Sequence, residues 1–568
     1  MKKAEIQRQH IIQFIILLVI LVLIGFISGK IFFRVDLTSE QRYTLSSETK
    51  AILKKVDDIV YVKVYLDGEM PVGFKKLRNS IKETLDEFRV YAKDNIQYEF
   101  INPAASSDTK VQNQVEIELY RKGLKPFKVK SHDKEGGQNE KKIIPGALLT
   151  YKGIELAVNF LKNSANSAEE NLNNSMQTVE YELIKTINNL TNKKVEKIAF
   201  LEGQGELDPM RVQDITLELG NYFEVDRGAI NGKPGILDNY KAVIIAKPTK
   251  PFTEPDKFVL DQYIMNGGRV LWFLDAVNVN TDSLAKGSTF GFINNINIDD
   301  QLFRYGIRIN PNLVQDAQCN TLPINAGSSG DQPQFAPTPW PYYPLIAPLV
   351  EHPITSSLNL VWAKYASQID TVGINNKVKK TWLLKTSVYT RLVNAPLFIS
   401  LSEVKNVPSR KDFNKPNQPI AVLLEGQFPS AYRNRMIKNI ISGAENSYKA
   451  ESVPTKMIVV ADGDMIANDV TMTQRGPMIT ALGYDRYTGR TFGNKEFIVN
   501  AVNFITNENG LISLRAKEYK LRILNKAMIR EERFKWQFVN TVLPVLLVIC
   551  FGLYYNYSRR KKYSGVQQ

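Results

Sequence analysis

The sequence predicts an α/β protein in which two transmembrane helices flank a large water-exposed body. Apolar segments near both ends of the 568-residue chain predict the membrane helices. Between them, short apolar runs alternate with stretches whose apolar residues recur at helical spacing, and this alternation predicts a parallel sheet with helices on both faces. A body of this length can bury more than one core, so we expect two α/β domains.

Residues 11–33 and 538–555 are the two predicted transmembrane helices. A helix needs roughly 20 residues to cross the hydrocarbon core, so the first segment is long enough and the second is marginal. A cleaved signal peptide is the alternative for the first segment. Its apolar region would be unusually long and no A-x-A-like site follows it, so a membrane anchor is the better interpretation.

The charges at the two ends of the chain predict its orientation. Residues 1–10 and 556–568 are both rich in lysine and arginine, and positively charged ends stay in the cytoplasm. Two spans place both tails on the same side. The body is therefore expected in the periplasm, anchored twice in a bacterial inner membrane, with the basic tails in contact with membrane lipid.

Residues 35–190 are predicted to form a smaller first α/β domain. Strands at 59–66 and 96–101 enclose a helix at 74–91, which makes a βαβ unit. The rest of this domain is predicted as hairpin strands, a polar linker and a closing helix, at 115–120, 127–129, 143–151, 154–159, 163–174 and 178–190.

Residues 193–512 are predicted to form a larger domain built on a doubly wound parallel sheet. Apolar strands and amphipathic helices alternate in it, at 195–201, 212–219, 242–246, 255–266, 270–274, 457–460 and 497–505. Residues 276–358 show no clear periodicity and are expected to be irregular. Residues 513–536 contain neither glycine nor proline and are predicted to form a juxtamembrane helix that leads into the second span.

Several classes of chemistry lack their signatures in the sequence. There is no P-loop motif and no H-E-x-x-H motif, and His10, His132 and His352 are scattered. Cys319 and Cys550 fall in different predicted compartments and cannot form a disulfide with each other. Basic residues of the body are dispersed, which argues against a nucleic-acid surface. We expect no metal, no cofactor and no nucleic-acid partner.

Acidic residues follow several strands of the predicted parallel sheet. Ligands of such sheets bind outside the carboxyl ends of the strands, so acids at neighbouring ends would form one rim that suits a polar ligand or a hard cation. The candidate ligand-binding residues are Glu202, Gly203, Gln204, Gly205, Glu206, Asp208, Asp275, Asp462 and Asp464. The alternative is that they serve as ordinary turn and cap residues.

A proline- and aromatic-rich run at 333–348 is a second candidate surface. Its Trp340, Tyr342 and Tyr343 could stack on a sugar or a peptide. The alternative is that this run covers the edge of a sheet.

Three motifs resemble those of a known family. They are the lead-in at 36–46, the Glu-Gly-Gln-Gly-Glu turn at 202–206, and Val-Ala-Asp-Gly-Asp at 460–464. Together they resemble the gliding-motility-associated ABC-transporter auxiliary proteins of the GldG type, over nearly the whole chain. The family's turn usually has histidine where this chain has Gln204, so a role that needs an imidazole there does not carry over.

The resemblance implies both a fold and a set of partners. The larger domain is expected to be flavodoxin-like, similar to the class I amidotransferase fold. The implied partners are a multi-span permease subunit and a cytoplasmic ATPase, acting in gliding motility or export.

The sequence therefore favours a non-enzymatic, substrate-binding-like auxiliary subunit of an ABC transporter complex. It would present the acidic rim and the aromatic run to a cargo or an envelope protein. One alternative is a membrane-anchored hydrolase or amidotransferase-like enzyme that uses Glu202, Glu206 or Asp464 as acid and base. A further alternative is a purely structural envelope linker.

Overall fold

The computed structural model describes residues 12–20, 22, 44–132, 138–161, 168–191, 196–329, 332–349, 352–356, 358–373, 377–405, 409–436, 440, 448–474, 476–506 and 531–563. Two compact units divide the chain, Met1–Lys517 and Glu518–Gln568. The α-helices are, in chain order, α1 (Ser47–Leu53), α2 (Val72–Tyr91), α3 (Thr109–Arg121), α4 (Ala168–Thr191), α5 (Gln213–Gly220), α6 (Glu254–Met265), α7 (Thr281–Leu284), α8 (Asp299–Tyr305), α9 (Asn494–Thr506) and α10 (Arg533–Tyr563). Short 3-10 helices include Pro209–Val212, Leu401–Lys405, Arg410–Asp412 and Gly463–Ile466.

The strands of the first unit are short, apart from one long hairpin. In chain order they are β1 (Val60–Val64), β2 (Ile96–Phe100), β3 (Phe127–His132), β4 (Gln138–Ile143), β5 (Gly146–Tyr151), β6 (Ile154–Asn159), β7 (Lys197–Glu202), β8 (Glu224–Ala229), β9 (Ala242–Ala246), β10 (Arg269–Phe273), β11 (Val277–Val279), β12 (Ser288–Ile293), β13 (Ile307–Ile309), β14 (Asn312–Asp316), β15 (Cys319–Ser329), β16 (Gln332–Ile346), β17 (Val361–Trp362), β18 (Ile369–Thr371), β19 (Val378–Lys385), β20 (Thr390–Asn394), β21 (Leu397–Ser400), β22 (Pro419–Gly426), β23 (Thr455–Val460), β24 (Val470–Thr473), β25 (Gly476–Ile479), β26 (Tyr484–Asp485) and β27 (Arg490–Thr491).

The N-terminal part of the body contains a four-stranded sheet in the order β2-β1-β5-β6. β1 and β2 are parallel and joined by α2, which confirms the predicted βαβ unit. β5 runs antiparallel to both β1 and β6. The apolar faces of α2 and α4 bury residues such as Leu77, Ile81 and Ile187 in one core with the sheet.

Two predictions in this region are wrong. Residues 115–120 lie in α3 and do not form a hairpin strand, because Asp108 caps that helix by accepting a hydrogen bond from the Lys110 N–H. Residues 168–174 of the predicted linker are the first turns of α4. The packing of Leu172 onto the core outweighs the low helix propensity of the neighbouring asparagines.

A seven-stranded sheet forms the centre of the region predicted as the larger domain, in the order β19-β22-β23-β10-β9-β7-β8. β23, β10, β9, β7 and β8 are parallel, as predicted. β22 and β19 add an antiparallel edge. The parallel strands lie side by side in the order β8-β7-β9-β10-β23. Numbered by their order in the chain, this arrangement is 2-1-3-4-5.

Helices cover both faces of this sheet. Val243 and Ile245 of β9 share a core with α6, whereas Ile244 and Ala246 share the opposite core with α5 and α9. This alternation is the geometry of a strand, and two buried faces explain why β9 is apolar throughout.

Residues 274–377, between β10 and β19, and residues 386–418, between β19 and β22, lie outside the central sheet. The two segments pair with each other through β12 with β21 and β14 with β20, and we call them together the insertion. The prediction that residues 276–358 are irregular is wrong, because they include a long antiparallel hairpin of β15 and β16. Proline has no N–H to donate, so the prolines of β16 made the segment resemble a loop. The hairpin tolerates them because β17 pairs with β16 only at Leu345 and Ile346, so the prolines lie where β16 pairs with β15 alone.

The C-terminal unit contains α10, which includes the predicted span 538–555. Its segment Arg533–Lys561 has 29 residues, and an 18-residue stretch within it has a mean hydropathy of 2.0; it is the one helix among the described residues long and apolar enough to cross a membrane. The predicted first span, 11–33, is described only at 12–20 and 22, which are helical and exposed. Most of the predicted juxtamembrane helix 513–536 lies outside the described residues.

We expect Asp261→Ala to destabilise the larger domain by about 3 kcal/mol, because it leaves several buried donors without an acceptor. Asp261 is buried in α6 and accepts hydrogen bonds from Tyr305 Oη (2.9 Å), Ser430 Oγ (2.7 Å) and the Ala431 N–H (2.9 Å). Denaturant titration of the full chain, followed by tryptophan fluorescence, measures the effect. Asp282→Ala, at an exposed position of α7, is the control. Equal midpoints for the two variants would contradict the importance of this network.

Candidate functional site

The carboxyl ends of β23, β10 and β9 meet at one edge of the parallel sheet, and their polar residues form one cluster. Lys247, directly after β9, lies between two carboxylates. Its Nζ is 3.2 Å from Asp275 Oδ2 and 2.5 Å from Asp464 Oδ1. Asp275 and Asp464 follow β10 and β23, so one lysine connects three strand ends. We call Lys247, Asp275, Asp462 and Asp464 the strand-end cluster.

Burial and charge act in opposite directions on the pKa values of the strand-end cluster. Burial disfavours the charged form of Lys247, but the Asp275 and Asp464 carboxylates outweigh it and raise the pKa of the amine. Burial raises the pKa of Asp275, and the Lys247 charge opposes that rise. Burial and the two neighbouring carboxylates raise the pKa of Asp462 well above its ordinary value. The charge of Lys247 therefore offsets the cost of burying these carboxylates close to one another.

Asp462 serves as a cap. Its Oδ1 accepts hydrogen bonds from the N–H groups of Asp464 (2.9 Å) and Met465 (3.1 Å) at the start of a 3-10 helix. Gly463 donates its N–H to Asp275 Oδ1 at 2.5 Å. A Cβ at Gly463 would lie 2.7 Å from Lys247 Cγ and 3.0 Å from Asp275 Oδ1, so only glycine fits this approach.

The insertion closes over the strand-end cluster. The Lys364 N–H donates to Asp462 Oδ2 at 2.7 Å, and the Ser367 N–H donates to the Ala461 carbonyl at 2.8 Å. Lys247 and Tyr365 both have left-handed backbones, with φ of 55° and 54°, which is strained for residues with a Cβ. Asp462 and the neighbouring Ala461 carbonyl therefore hold the insertion onto the sheet.

The Gly203-Gln204-Gly205 turn fills the crevice between β7 and β9, where the strand order reverses and such sheets usually bind ligands. The Gln204 carbonyl accepts hydrogen bonds from the N–H groups of Thr249 (2.9 Å) and Lys250 (2.8 Å). Its Nε2 donates to Asp256 Oδ2 at 3.2 Å. Gly205 has φ of 71°, and a Cβ there would collide with Thr249 Oγ1. The crevice is thus occupied by the protein's own loops.

The other predicted acids have partners of their own near β7. Glu202 pairs with Arg227, at 2.7 Å between Oε1 and Nε. Asp208 caps a 3-10 helix through the Met210 N–H (2.9 Å). Glu206 Oε2 accepts from the Gln204 N–H at 2.8 Å, and burial raises the pKa of Glu206. The predicted single rim is therefore two groups, the strand-end cluster and the turn after β7.

Trp340, Tyr342 and Tyr343 lie in β16 and are buried, in contrast to the loop predicted for them. Their rings join a separate aromatic core, and Tyr343 meets Tyr365 edge to face at 5.3 Å between ring centroids. Trp340 and Tyr342 line a cavity of about 610 Å³ within the insertion. That cavity leaves a ligand-binding role open to these two side chains.

Sequence reasoning missed Lys247, Asp256 and Lys364. A lysine directly after an apolar strand does not by itself predict a buried ion pair, because lysine is usually exposed unless a partner is present. Its acidic partners are distant in the chain and come close only once the order of the strands is known.

Two residues that could suggest chemistry are neutral at pH 7. Burial raises the pKa of the Cys319 thiol to about 11 and lowers the pKa of His352 to about 4. Within the described residues, no group of three or more His, Cys, Asp or Glu side chains could hold a metal ion.

Comparison with known proteins gives a family for more than half of the chain. A family described as an ABC-type uncharacterized transport system matches residues 196–501, and a domain of unknown function matches residues 39–150. An uncharacterized protein of Borreliella burgdorferi is 20% identical over 560 residues, covering 93% of this chain and 94% of that protein. The solved mmIFT52 N-terminal domain has a TM-score of 0.31 and 14% identity, covering 55% of this chain and 98% of that one.

We expect Lys247→Met to destabilise the body by about 3 kcal/mol at pH 7, because it leaves buried carboxylates without a counter-charge. Without Lys247 the pKa of Asp275 rises further, because the charge that opposes the effect of burial is gone. A folded-state pKa above that of the unfolded chain lowers stability as the pH increases past the unfolded value, so the deficit should shrink as the pH falls to about 4. Denaturant titrations of the full chain at a series of pH values measure this.

Lys250→Met is the control, since Lys250 is exposed three residues away. The double variant Lys247→Met with Asp464→Asn should recover part of the loss. A deficit in Lys247→Met that does not depend on pH would show that the amine does not neutralise these acids.

Proposed function

This chain belongs to the family of ABC-type uncharacterized transport system proteins, and we propose that it is a non-enzymatic auxiliary subunit that joins a transporter to a partner outside the cytoplasm. It is a membrane-associated component of an ABC transport system. What we propose beyond this is the orientation of the chain in the membrane, the identity of its partner proteins and its lack of catalytic activity.

The strand-end cluster is the observation that carries the non-enzymatic role. General acid–base catalysis needs a carboxyl group that can reach a substrate and exchange a proton near the working pH. Here Asp462 is engaged as a cap, and Asp275 and Asp464 are paired with Lys247 beneath the insertion. A structural use of these groups supports the auxiliary role over the hydrolase or amidotransferase alternative.

The parallel strand order supports a flavodoxin-like fold for the larger domain. The order second, first, third, fourth, fifth is that of flavodoxin-like sheets. In such folds the switch-point crevice holds the cofactor, whereas the Gln204 turn fills it here. The fold would therefore serve as a rigid frame for the insertion.

The C-terminal helix supports attachment to a permease. Arg533–Lys561 is long enough to span a membrane, and Arg559, Arg560, Lys561 and Lys562 follow its apolar part. Basic residues at that end favour a cytoplasmic C-terminus and hence a periplasmic body. The motif resemblance supports a role in gliding motility or export, with a multi-span permease and a cytoplasmic ATPase as partners.

We expect a mild-detergent pull-down through a tag on the C-terminal tail to recover a multi-span permease and an ATPase from native membranes, since the spans and the body would both contact the complex. Mass spectrometry identifies the recovered proteins. An unrelated membrane protein with the same tag and a C-terminal span is the control. Recovery of this chain alone, from membranes that still yield other intact complexes, would contradict the proposal.

A further inference from the structure

The cavity in the insertion has the size of a small-molecule site. Its volume is about 610 Å³, within the range of about 300–1,000 Å³ of typical ligand pockets. Strands β14, β16 and β20 supply half of its lining residues, among them Gln315, Trp340 and Arg391. It lies apart from the strand-end cluster, with which it shares no lining residue.

Seven of the sixteen residues that line the cavity are aromatic or proline. Trp340, Tyr342, Tyr389 and Phe413 line it together with Pro339 and Pro341. The rings of Trp340 and Tyr342 are 5.3 Å apart between centroids and nearly completely buried. Such a wall suits a flat or apolar molecular body.

The apolar wall continues onto the surface of the insertion. Phe398 lines the cavity and also contacts Phe290, at 5.0 Å between ring centroids, and Phe290 stacks on Phe292 at 5.9 Å. All three rings are more than half exposed. An apolar ligand could therefore extend from the cavity onto this aromatic surface.

Two arginines give the cavity a positive balance against one glutamate. Glu403 is already engaged, because its Oε1 accepts from the Ser400 N–H (3.0 Å) and its Oε2 from Tyr342 Oη (3.4 Å). Arg410 stacks on Tyr389, with its guanidinium 4.6 Å from the ring centroid. Arg391 is half-buried, and within the described part of the chain its guanidinium makes no hydrogen bond or ion pair.

A buried polar atom in the same cavity also lacks a partner. Gln315 is only 4% exposed, and its Oε1 accepts no hydrogen bond from the described residues. Leaving such a group unpaired costs about 1–3 kcal/mol. Both the Gln315 carbonyl and the Arg391 guanidinium would gain a partner from a ligand.

We propose that this cavity binds a small amphipathic anion, with a planar or apolar body against the exposed rings of Tyr389 and Phe398 and a carboxylate or similar acid group on Arg391. A hydrogen-bond donor on the ligand would meet Gln315 Oε1. The site does not depend on the transporter role, since it rests on the cavity alone.

Calorimetry with a matched pair of compounds tests the site. The probes are 2-naphthylacetate and the neutral 2-naphthylacetamide, titrated into the full chain in lipid nanodiscs, with empty nanodiscs as the blank. A charge-assisted hydrogen bond to Arg391 should make the acid bind at least tenfold more tightly than the amide. Equal affinities for both compounds, or no binding by the wild-type protein, would overturn the proposal.

Three variants locate the binding. Arg391→Gln should remove the preference for the acid, whereas Arg308→Gln should keep it, because Arg308 is an exposed arginine of the same insertion that pairs with Asp370. Ala317→Trp, at an exposed lining position, should lower the affinity for both compounds, because the larger side chain narrows the cavity. Equal losses in the two arginine variants, or unchanged binding in Ala317→Trp, would place the compounds elsewhere and refute the site.

Discussion

The ion pairs of Lys247 hold together the edge of the sheet on which the insertion depends. Three aspartates would lie close together at this edge without a counter-charge, and burying uncompensated carboxylates costs several kcal/mol each. Lys247 contacts Asp275 and Asp464 directly, and its backbone is left-handed. Once its amine is in place, Asp462 is free to cap the next helix and to accept the Lys364 N–H. The strand-end acids thus become the attachment point of the insertion.

The crevice between β7 and β9, where sheets of this kind usually bind a ligand, is occupied by the protein itself. The Gln204 turn occupies the switch point and is held by Thr249, Lys250 and Asp256. With that crevice filled, the larger domain carries the insertion on a rigid support. The open cavity and the exposed Phe290, Phe292 and Phe398 lie on the insertion itself. Binding functions would accordingly reside there, while the central sheet keeps the insertion in place.

Much of the central sheet could be predicted from the sequence. The burial of the strand-end cluster beneath the insertion could not. β9 is apolar at every position, and α6 starts at a Thr253 cap with a proline in its first turn, so both elements are visible locally. That Asp275 and Asp464 converge also follows from parallel strand ends. The role of Lys247 depends on strand order, which no local pattern contains. Trp340 and Tyr343 were predicted in a loop because prolines surround them, whereas distant aromatic residues such as Tyr365 bury them.

The most direct test of the structural role of the cluster is to remove its charges together. In the triple variant Lys247→Met, Asp275→Asn and Asp464→Asn, neutral groups of similar size replace the ion pairs, which is often tolerated where loss of one partner is not. Co-purification of this variant with its membrane partners, compared with the wild-type chain, is the measurement. Our account expects the variant to fold and to recover the same partners. A folded variant that no longer recovers the partners would contradict this account. It would show that the complex requires the charges themselves, and not only the attachment of the insertion to the sheet.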